Sequence, residues 1–394
     1  MNVTLSKKIV LKVLKKIKVG TITLQDLDRT HVFENSAPGE CVTITIKNPQ
    51  IYRKILSEGS VGAGRGYIDG DWDTDDLTKL IILFIKNVSL FNEIESPLAR
   101  LFSFVRTIGY KLNINTVNRA KDNILAHYDL GNDFFQLILD PSMMYSCALY
   151  EHPDMKLGDA SLKKIQKVCS QLSLTPQDHL LEIGTGWGGF AIYAAQNYGC
   201  KITTTTISDK QYAFVKQKIK QLGLDHQIEL LNLDYRQLSG QYDKVVSIEM
   251  IEAVGHKYFD VFFKQCYQLL KPEGLFFLQA IVINDQAYEA AKDEVDFIKR
   301  YIFPGGCLPS VFSIARSIAK QTKLQLLSSE DIGKHYVQTL YDWQDNLLKN
   351  KQTILDQGFT PAFIRTWQFY FCYCAAGFDT HYISNIHALW RKRA

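Results

Sequence analysis

Leu180-Leu181-Glu182-Ile183-Gly184-Thr185-Gly186-Trp187-Gly188-Gly189 is the most informative run in this 394-residue chain. Its apolar first half predicts a buried parallel strand, and a glycine turn after the strand opens into a helix. Glycines in such a turn let the backbone approach a ligand closely, where a side chain would collide. The run therefore predicts a site for a nucleotide-containing cofactor.

The next predicted strand distinguishes between two such cofactors. Gly184, Gly186 and Gly189 satisfy the dinucleotide fingerprint G-x-G-x-x-G, which is weak evidence by itself. A NAD site requires an acidic residue near the end of the following strand, where it binds the ribose 2′-hydroxyl. Residues 203–206 are all threonines instead, and Glu182 suits a cationic or amine-bearing ligand. These residues favour S-adenosylmethionine (SAM) over NAD.

Composition limits the class of protein. Apolar residues make up 46% of the chain and charged residues 22%, as in soluble globular proteins of two domains. The longest apolar runs, such as residues 80–85, are far shorter than the roughly 20 residues of a membrane span. Eight cysteines without a signal peptide indicate free thiols in a reducing cytosol, and Cys372 and Cys374 are too sparse a pair for zinc. We therefore expect a cytoplasmic protein with no bound metal and no nucleic-acid partner.

The net charge of +4 is unevenly distributed. Residues 1–20 contain six lysines and no acidic residue, and in a helix Ile9, Val13 and Ile17 would lie on one apolar stripe. A basic amphipathic helix of this kind binds anionic membrane surfaces, but it also occurs as a solvated helix packed on its own domain. Both uses stay open, and the first predicts peripheral association with a membrane.

The first 115 residues predict a small α+β domain. Short strands after residue 20 are followed by a glycine-rich turn at residues 59–70 and a helix at residues 77–87. Residues 93–118 have no clear period and are predicted to be a connection. The predicted domains are therefore residues 1–115 and residues 116–394.

Strands and helices alternate in the second domain, which is the pattern of a doubly wound parallel α/β sheet. A largely helical insert follows to about residue 320, and its loop at residues 303–309 is predicted to be a lid over a ligand. The aromatic cluster at residues 367–378 is predicted to pack in a core, with an acyl-chain tunnel as the alternative. Five strands are predicted, near residues 179–183, 200–206, 228–233, 243–248 and 275–283.

Further motifs stand in one order along the chain. They are GYIDGDW at residues 66–72, AHYDLGNDFF at 126–135, MYSCA at 144–148, EMIEAVG at 249–255 and YIFPGGCLP at 301–309. Together with the glycine turn, they resemble the cyclopropane-fatty-acyl-phospholipid synthase family and its mycolic-acid relatives. The resemblance spans most of the chain from about residue 60 onward. It implies a Rossmann-like SAM-dependent methyltransferase domain, with a helical lid insert, behind a small N-terminal domain.

The resemblance implies eight cofactor-binding residues. Two touch SAM, two form the turn beneath its methionine moiety, three contact its ribose and adenosine, and one meets the adenine edge. In that order they are Tyr145 and Ser146, Gly184 and Gly186, Thr206, Ile207 and Gln211, and Asp234. Aspartate also caps turns readily, so a purely structural role for Asp234 stays open.

The resemblance also implies a catalytic centre. In the family, a bound bicarbonate ion serves as the base, held by a cysteine amide, a glutamate, a histidine, a tyrosine and a backbone carbonyl. A glutamine occupies the histidine position here; it can donate a hydrogen bond to an anion but cannot carry charge, which puts bicarbonate in question. In the order just given, the corresponding residues are Cys147, Glu252, Gln279, Tyr336 and Ile281.

The activity that the resemblance implies is transfer of a methylene unit from SAM to cis double bonds in unsaturated phospholipids. It further implies a homodimer, with lipid association and dimer contacts in the N-terminal domain. Two alternatives stay open. One is another methyltransferase on the same scaffold, which leaves a methyl or methylene branch on the acyl chain or methylates a small amine. The other is a lipid-binding protein without catalytic activity.

Overall fold

The computed structural model describes residues 2–35, 37–88 and 130–393. The predicted connection, the boundary near residue 115 and the first four residues of the 126–135 motif lie outside these ranges. The chain divides into two compact units. The first comprises Met1–Leu112, Asp293–Ile302 and Trp343–Tyr382, and the second comprises Asn113–Lys292, Phe303–Asp342 and Ile383–Ala394.

The first unit has the predicted α+β character. Its described residues include three N-terminal helices, α1 (Val3–Leu14), α2 (Ile51–Ile68) and α3 (Leu77–Lys86). They also include the strands β1 (Thr21–Gln25), β2 (Thr30–Glu34), β3 (Cys41–Ile46) and β4 (Trp72–Thr74), paired in the order β2-β1-β3-β4. The strands β1 and β3 are parallel, and the other two pairs are antiparallel.

The predicted glycine-rich turn at residues 59–70 is wrong, because α2 continues through most of it. The helix bends at Gly59, whose φ is +57°. The later glycines serve close packing instead: a Cβ at Gly64 would lie 2.5 Å from the ring of Phe297. A glycine pattern that locally predicts a turn is thus explained by a contact with a residue more than two hundred positions away.

The aromatic cluster near the C-terminus also belongs to the first unit. It lies on the helix Pro361–Asp379, in which Trp367, Phe371 and Phe378 are almost fully buried. Arg365 on the same helix stacks over the ring of Tyr67 at 3.8 Å and donates to its carbonyl oxygen at 2.6 Å. The position of this segment in the first unit is not predicted by the order of the sequence.

The second unit is built on a mostly parallel sheet. Its strands are β5 (His179–Ile183), β6 (Lys201–Thr206), β7 (Ile228–Asn232), β8 (Tyr242–Ile248), β9 (Leu270–Ile283), β10 (Leu324–Asp331) and β11 (Ile383–Lys392). In the part of the chain that the structure describes, the order is β10-β11-β9-β8-β5-β6-β7, and only the β9–β11 and β10–β11 pairs are antiparallel. The five predicted strands are confirmed, whereas β10 and β11 are not predicted.

Central strands of this sheet such as β9 are buried on both faces, which explains their continuous apolar runs. Neighbouring residues on one strand enter different cores: Phe276 packs with Phe262 on one face, and Phe277 packs with Phe190 on the other. The strand order reverses between β5 and β8. In open α/β sheets, ligands bind at the carboxyl ends of the strands at such a reversal.

Helices connect the strands of the second unit. The described ones are Asn132–Ile138, Leu157–Gln171, Gly189–Tyr198, Asp209–Gln221, Phe259–Leu269, Asp285–Ala291 and Val311–Gln321, together with the first part of Lys334–Lys349. The short helices Phe297–Tyr301 and Lys351–Asp356 belong to the first unit. None of the helices within the described ranges is both long and apolar enough to cross a membrane.

Candidate active site

The glycine turn follows β5 directly and has the predicted conformation. Gly184 and Gly186 have φ values of +96° and +53°, which L-residues with side chains rarely adopt. The amides of Gly184 and Thr185 donate to the carbonyl oxygen of Thr205 on β6. A Cβ at Gly184 would also lie 3.1 Å from Cγ of Met250, so both the backbone and the space require glycine.

Glu182, the last acidic residue before the turn, is buried. Its Oε2 accepts a hydrogen bond from Thr204 Oγ1 at 2.5 Å. Burial raises the pKa of Glu182 to about 7, while the hydrogen bond from Thr204 opposes the shift. A buried carboxyl beside a glycine turn suits a ligand that carries positive charge. The residues present therefore fit the sulfonium and amine of SAM.

Tyr145 and Ser146 are predicted to touch SAM, and the structure places Tyr145 near the turn. The Tyr145 ring lies 6.5 Å from that of Trp187, a residue of the turn itself. Ser146 is buried and accepts a hydrogen bond from the Nζ of Lys164 at 2.8 Å. Lys164 is fully buried, and this burial lowers its pKa to about 8. Lys164 is not predicted from the sequence, because a single lysine in an amphipathic helix carries no local signal.

The other cofactor candidates follow β6 and β7. Thr206 Oγ1 lies 2.9 Å from Gln211 Oε1, to which it donates, and Ile207 between them is half-buried. Asp234 accepts from the Nε and Nη2 of Arg236, each at 2.7 Å, and from the Arg236 amide. Asp234 thus caps the short helix Tyr235–Gln237, which is the structural role left open above. Its predicted contact with adenine stays a prediction.

A buried carboxylate, Glu249, lies at the end of β8. Its backbone φ is +48°, and its amide donates to the carbonyl oxygen of Gln279 on β9 at 2.8 Å. Four donors from separate segments reach its side chain. Oε1 accepts from the Cys147 amide at 3.0 Å, Gln279 Nε2 at 2.8 Å and Asn385 Nδ2 at 2.5 Å, and Oε2 accepts from Tyr336 Oη at 2.8 Å.

Glu252 lies on the next short helix, Ile251–Ala253. Its Oε1 accepts from the Ile281 amide at 2.5 Å, whereas its Oε2 is buried with no hydrogen-bond partner among the described residues. Burial, together with the nearby charge of Glu249, raises the pKa of Glu252 to about 8. The carbonyl oxygen of Glu252 accepts from the Cys307 amide in the predicted lid loop.

Gln279 is oriented from behind by a histidine on the neighbouring strand. His387 on β11 lies opposite Gln279 in the register, with its Nε2 3.0 Å from Gln279 Oε1. Burial lowers the pKa of His387 to about 3, so its ring is neutral and Nε2–H is the donor. The Gln279 carbonyl is thereby occupied, and its amide nitrogen points at Glu249. We expect this network to fix the amide orientation.

The five residues predicted for the catalytic centre meet at these two carboxyl groups. Cys147 contributes its amide, since burial raises the pKa of its thiol well above the ordinary value. Glu249 belongs to the motif EMIEAVG, yet sequence reasoning gives it no role. Its signal is an acidic residue directly after a parallel strand. Asn385 and His387 lie on β11, which no pattern in the sequence predicts.

Known proteins are similar to this chain over most of its length. The family model for mycolic acid cyclopropane synthetase matches residues 115–388. Cyclopropane-fatty-acyl-phospholipid synthase of Escherichia coli is 37% identical over 345 residues, which are 87% of this chain and 85% of the relative. Tuberculostearic acid methyltransferase UfaA1 of Mycobacterium tuberculosis is 33% identical over 342 residues, which are 84% of this chain and 78% of the relative.

A solved structure is also similar. Mycolic acid cyclopropane synthase CmaA1, complexed with SAH and CTAB, is 29% identical and superposes with a TM-score of 0.65. The match covers 69% of this chain and 98% of that one. The chain therefore belongs to the mycolic acid cyclopropane synthetase family, and it is a SAM-dependent methyltransferase with the predicted doubly wound fold.

Proposed function

We propose that this enzyme transfers a methylene unit from SAM to cis double bonds in phospholipid acyl chains and so forms cyclopropane rings. The observation that carries the proposal is the buried cluster around Glu249 and Glu252, one strand away from the glycine turn. The two strands that end at these sites, β5 and β8, are directly paired. The Escherichia coli relative is a cyclopropane-fatty-acyl-phospholipid synthase, which supports the same assignment.

The proposed chemistry makes two demands on the chain. When bound, SAM supplies an electrophilic methyl group. An isolated alkene is a poor nucleophile, so the residues of the glycine turn, with Tyr145 and Ser146, must hold donor and acceptor in line. Methyl transfer leaves a carbocation on the acyl chain, and ring closure requires loss of a proton from the new methyl group. The buried cluster provides proton acceptors and excludes water, which would otherwise trap the cation.

A second candidate is a methyltransferase that leaves a methyl or methylene branch on the acyl chain. Two observations favour it: the relative UfaA1 is a tuberculostearic acid methyltransferase, and Gln279 stands where the family resemblance implies a histidine. A different arrangement around the proton acceptor would change which proton leaves the cation. The product therefore distinguishes the two candidates.

The deciding experiment incubates the purified protein with SAM and vesicles of unsaturated phospholipid. The acyl chains are then analysed by mass spectrometry and proton NMR. A gain of one CH2 with high-field cyclopropane protons supports the synthase, and exomethylene or branch-methyl signals support the second candidate. SAM binding without any lipid product contradicts both, and directs the search to small amines or to a lipid-binding role without catalysis.

We also propose that the enzyme works at a membrane surface, through α1. Lys8, Lys12, Lys15 and Lys16 on or next to this helix are exposed, whereas Leu14 is buried in its own unit. Lys7 is already paired with Asp26 at 2.8 Å and is left unchanged in the test. Lysines near an anionic surface contribute roughly 1 kcal/mol each. The homodimer implied by the resemblance stays a prediction.

The test replaces those four exposed lysines with glutamine. We expect binding to anionic vesicles to weaken by at least about tenfold, with unchanged SAM affinity. A control with the same charge change replaces four exposed lysines elsewhere, Lys216, Lys220, Lys349 and Lys351. Equal vesicle binding by the two variants would contradict the role of α1.

A further inference from the structure

The hydrogen-bond donors around Glu249 at the end of β8 form an anion cradle. A carboxylate of the chain itself already occupies this cradle. The Cys147 amide, the Gln279 side chain and the Tyr336 hydroxyl, three of the groups that the resemblance assigns to bicarbonate, all donate to Glu249. Asn385 adds a fourth donor at 2.5 Å. A free anion could enter this cradle only by displacing the Glu249 carboxylate from all four.

From this geometry we propose that the carboxylate of Glu249 takes the place of bicarbonate and is the base for ring closure. The inference rests on the proposed function, because only a methyl transfer to an alkene creates the cation that Glu249 would deprotonate. It makes the enzyme independent of dissolved bicarbonate. It also assigns a catalytic role to a residue that the family resemblance leaves unassigned.

The charged groups around Glu249 favour a single anion in the cradle over two. Glu252 is a second buried carboxyl group close enough for its pKa to be raised by Glu249. The buried amine of Lys164 interacts favourably with Glu249. A bicarbonate ion added beside Glu249 would bring another negative charge into a region that excludes water, where uncompensated charges are costly.

The neutral side chain at position 279 is consistent with a tethered base. A charged histidine helps to capture a small anion from solution, whereas a carboxylate on the chain needs only a hydrogen-bond donor held in place. Gln279 Nε2 is such a donor, and His387 occupies its carbonyl oxygen at 3.0 Å. His387 is thus a positioning residue that acts through Gln279.

The backbone of Glu249 provides a separate observation. A φ of +48° is uncommon for a residue with a side chain, and such strain persists where the surrounding structure imposes it. At the carboxyl end of β8 this conformation accompanies a side chain that is directed into the cradle. The same φ means that glycine fits the position without strain, which makes a clean deletion possible.

Ring closure in this proposal begins with methyl transfer. The alkene electron pair forms a bond to the methyl carbon as the carbon–sulfur bond breaks, and the bonding electrons remain on sulfur. Glu249 Oε2, which Tyr336 orients, then takes a proton from the transferred methyl group. The released C–H electron pair forms the second bond to the cationic carbon and closes the ring. Glu249 becomes a neutral carboxylic acid and loses its proton to solvent before the next turnover.

The test measures lipid product for the full-length enzyme in buffer depleted of bicarbonate and in buffer with bicarbonate added. We expect the wild-type rate to differ by less than about twofold between the two. Glu249→Gly should lose at least about 10²-fold in depleted buffer, the scale of a positioned base. Bicarbonate, formate or acetate should restore at least about tenfold of the lost rate, because the deletion opens an anion-sized space among the four donors.

Glu249→Gln is the matched variant, since it fills the same space without a basic oxygen. We expect an equally large loss and no rescue by any of the three anions. SAM affinity and thermal stability are measured for both variants, so that a loss of folding is not mistaken for a loss of the base. If Glu249→Gly does not fold, the wild-type response and Glu249→Gln still decide the question.

Two results would overturn the inference: a wild-type rate that falls at least about tenfold without bicarbonate, or near-normal turnover by Glu249→Gln. Both leave the proposed function intact, because lipid product is still made. The opposite pattern, SAM binding with no lipid product from the wild type in any buffer, overturns the proposed function itself. The two failures are therefore distinguishable in one set of assays.

Discussion

The glycine turn and the carboxyl cluster lie at the ends of paired strands, but different interactions stabilise them. The turn depends on the backbone: two positive φ values and a place where a Cβ would strike Met250. The cluster depends on side chains, and the donors to Glu249 come from residues 102 and 136 positions away, among others. The predicted cofactor site is thus a local feature, while long-range contacts position the groups that we propose to handle the proton.

We expect changes in the carboxyl cluster to affect turnover without affecting SAM affinity. Glu252→Gln keeps the shape of the side chain and its bond to the Ile281 amide but cannot exchange a proton. We expect turnover to fall by at least about 10²-fold, the scale of a positioned acid–base or electrostatic group. SAM affinity, measured by calorimetry, should change by less than about twofold. Near-normal turnover would remove Glu252 from the mechanism.

Glu252 should also make stability depend on pH. Burial raises its pKa to about 8, so between its unfolded pKa near 4.5 and pH 8 the folded state holds the proton more firmly than the unfolded chain. The free energy of unfolding should therefore fall as pH rises through this window. Glu252→Gln removes the contribution of Glu252 to this decline. Between pH 5 and 8 the free energy of unfolding of the variant should therefore fall less than that of the wild type, by on the order of 2 kcal/mol.

Chemical denaturation of both proteins at the two pH values measures this difference. The Glu252→Gln variant should retain a smaller decline of the same sign from Glu182, whose pKa burial raises to about 7. Identical pH slopes for the wild type and Glu252→Gln would show that Glu252 is not a buried group with a raised pKa.

A change in the glycine turn, in contrast to one in the cluster, should weaken SAM binding. Gly184→Ala places a Cβ 3.1 Å from Met250 on a backbone with a φ of +96°. Strain of this kind is worth about 1–2 kcal/mol, so we expect SAM to bind at least about tenfold more weakly. Gly223→Ala is the matched control, because its φ of +68° imposes similar strain and nothing lies within 4 Å. Equal SAM affinity in the two variants would contradict the proposed role of the turn.

The smallest effect on turnover is expected for His387, which contacts Gln279 from behind the cluster. His387→Ala frees the Gln279 carbonyl, so the amide is no longer fixed toward Glu249, and we expect kcat to fall by about fivefold at constant KM. His387→Gln keeps an N–H donor near the position of Nε2 and should recover most of the loss, which a purely structural defect would not do. If His387→Gln is as slow as His387→Ala, or if both act through KM, His387 does not position Gln279.

The parts of the fold that the sequence predicts are those with local signals. The five parallel strands are predicted, although β9 begins five residues earlier than expected, because most of them contain apolar runs bounded by turn residues. The strand β10 is not predicted, since most of its residues are exposed, and the helix α2 is mistaken for a turn because its glycines serve packing against distant residues. Such signals exist only in the folded chain.

The site divides in the same way. The glycines, Glu182 and the residues carried over from the family motifs lie in recognisable patterns, and the structure brings the five catalytic candidates together. Lys164, Asn385 and His387 carry no pattern of their own, because their roles follow from burial and strand pairing. Glu249 could be suspected from its place after β8, but its four donors are visible only in three dimensions.

The position of β11 in the sheet has a consequence for the order of folding. The glycine turn requires contacts between β5 and β6, which are close in sequence and close their loop early. The strand β10 has its pairing partner in β11, some fifty residues later, and β11 also brings Asn385 and His387 to Glu249. A chain interrupted before residue 383 contains all residues of the turn but lacks two members of the cluster. We therefore expect the proposed proton-transfer cluster to be completed only after the predicted cofactor site has formed.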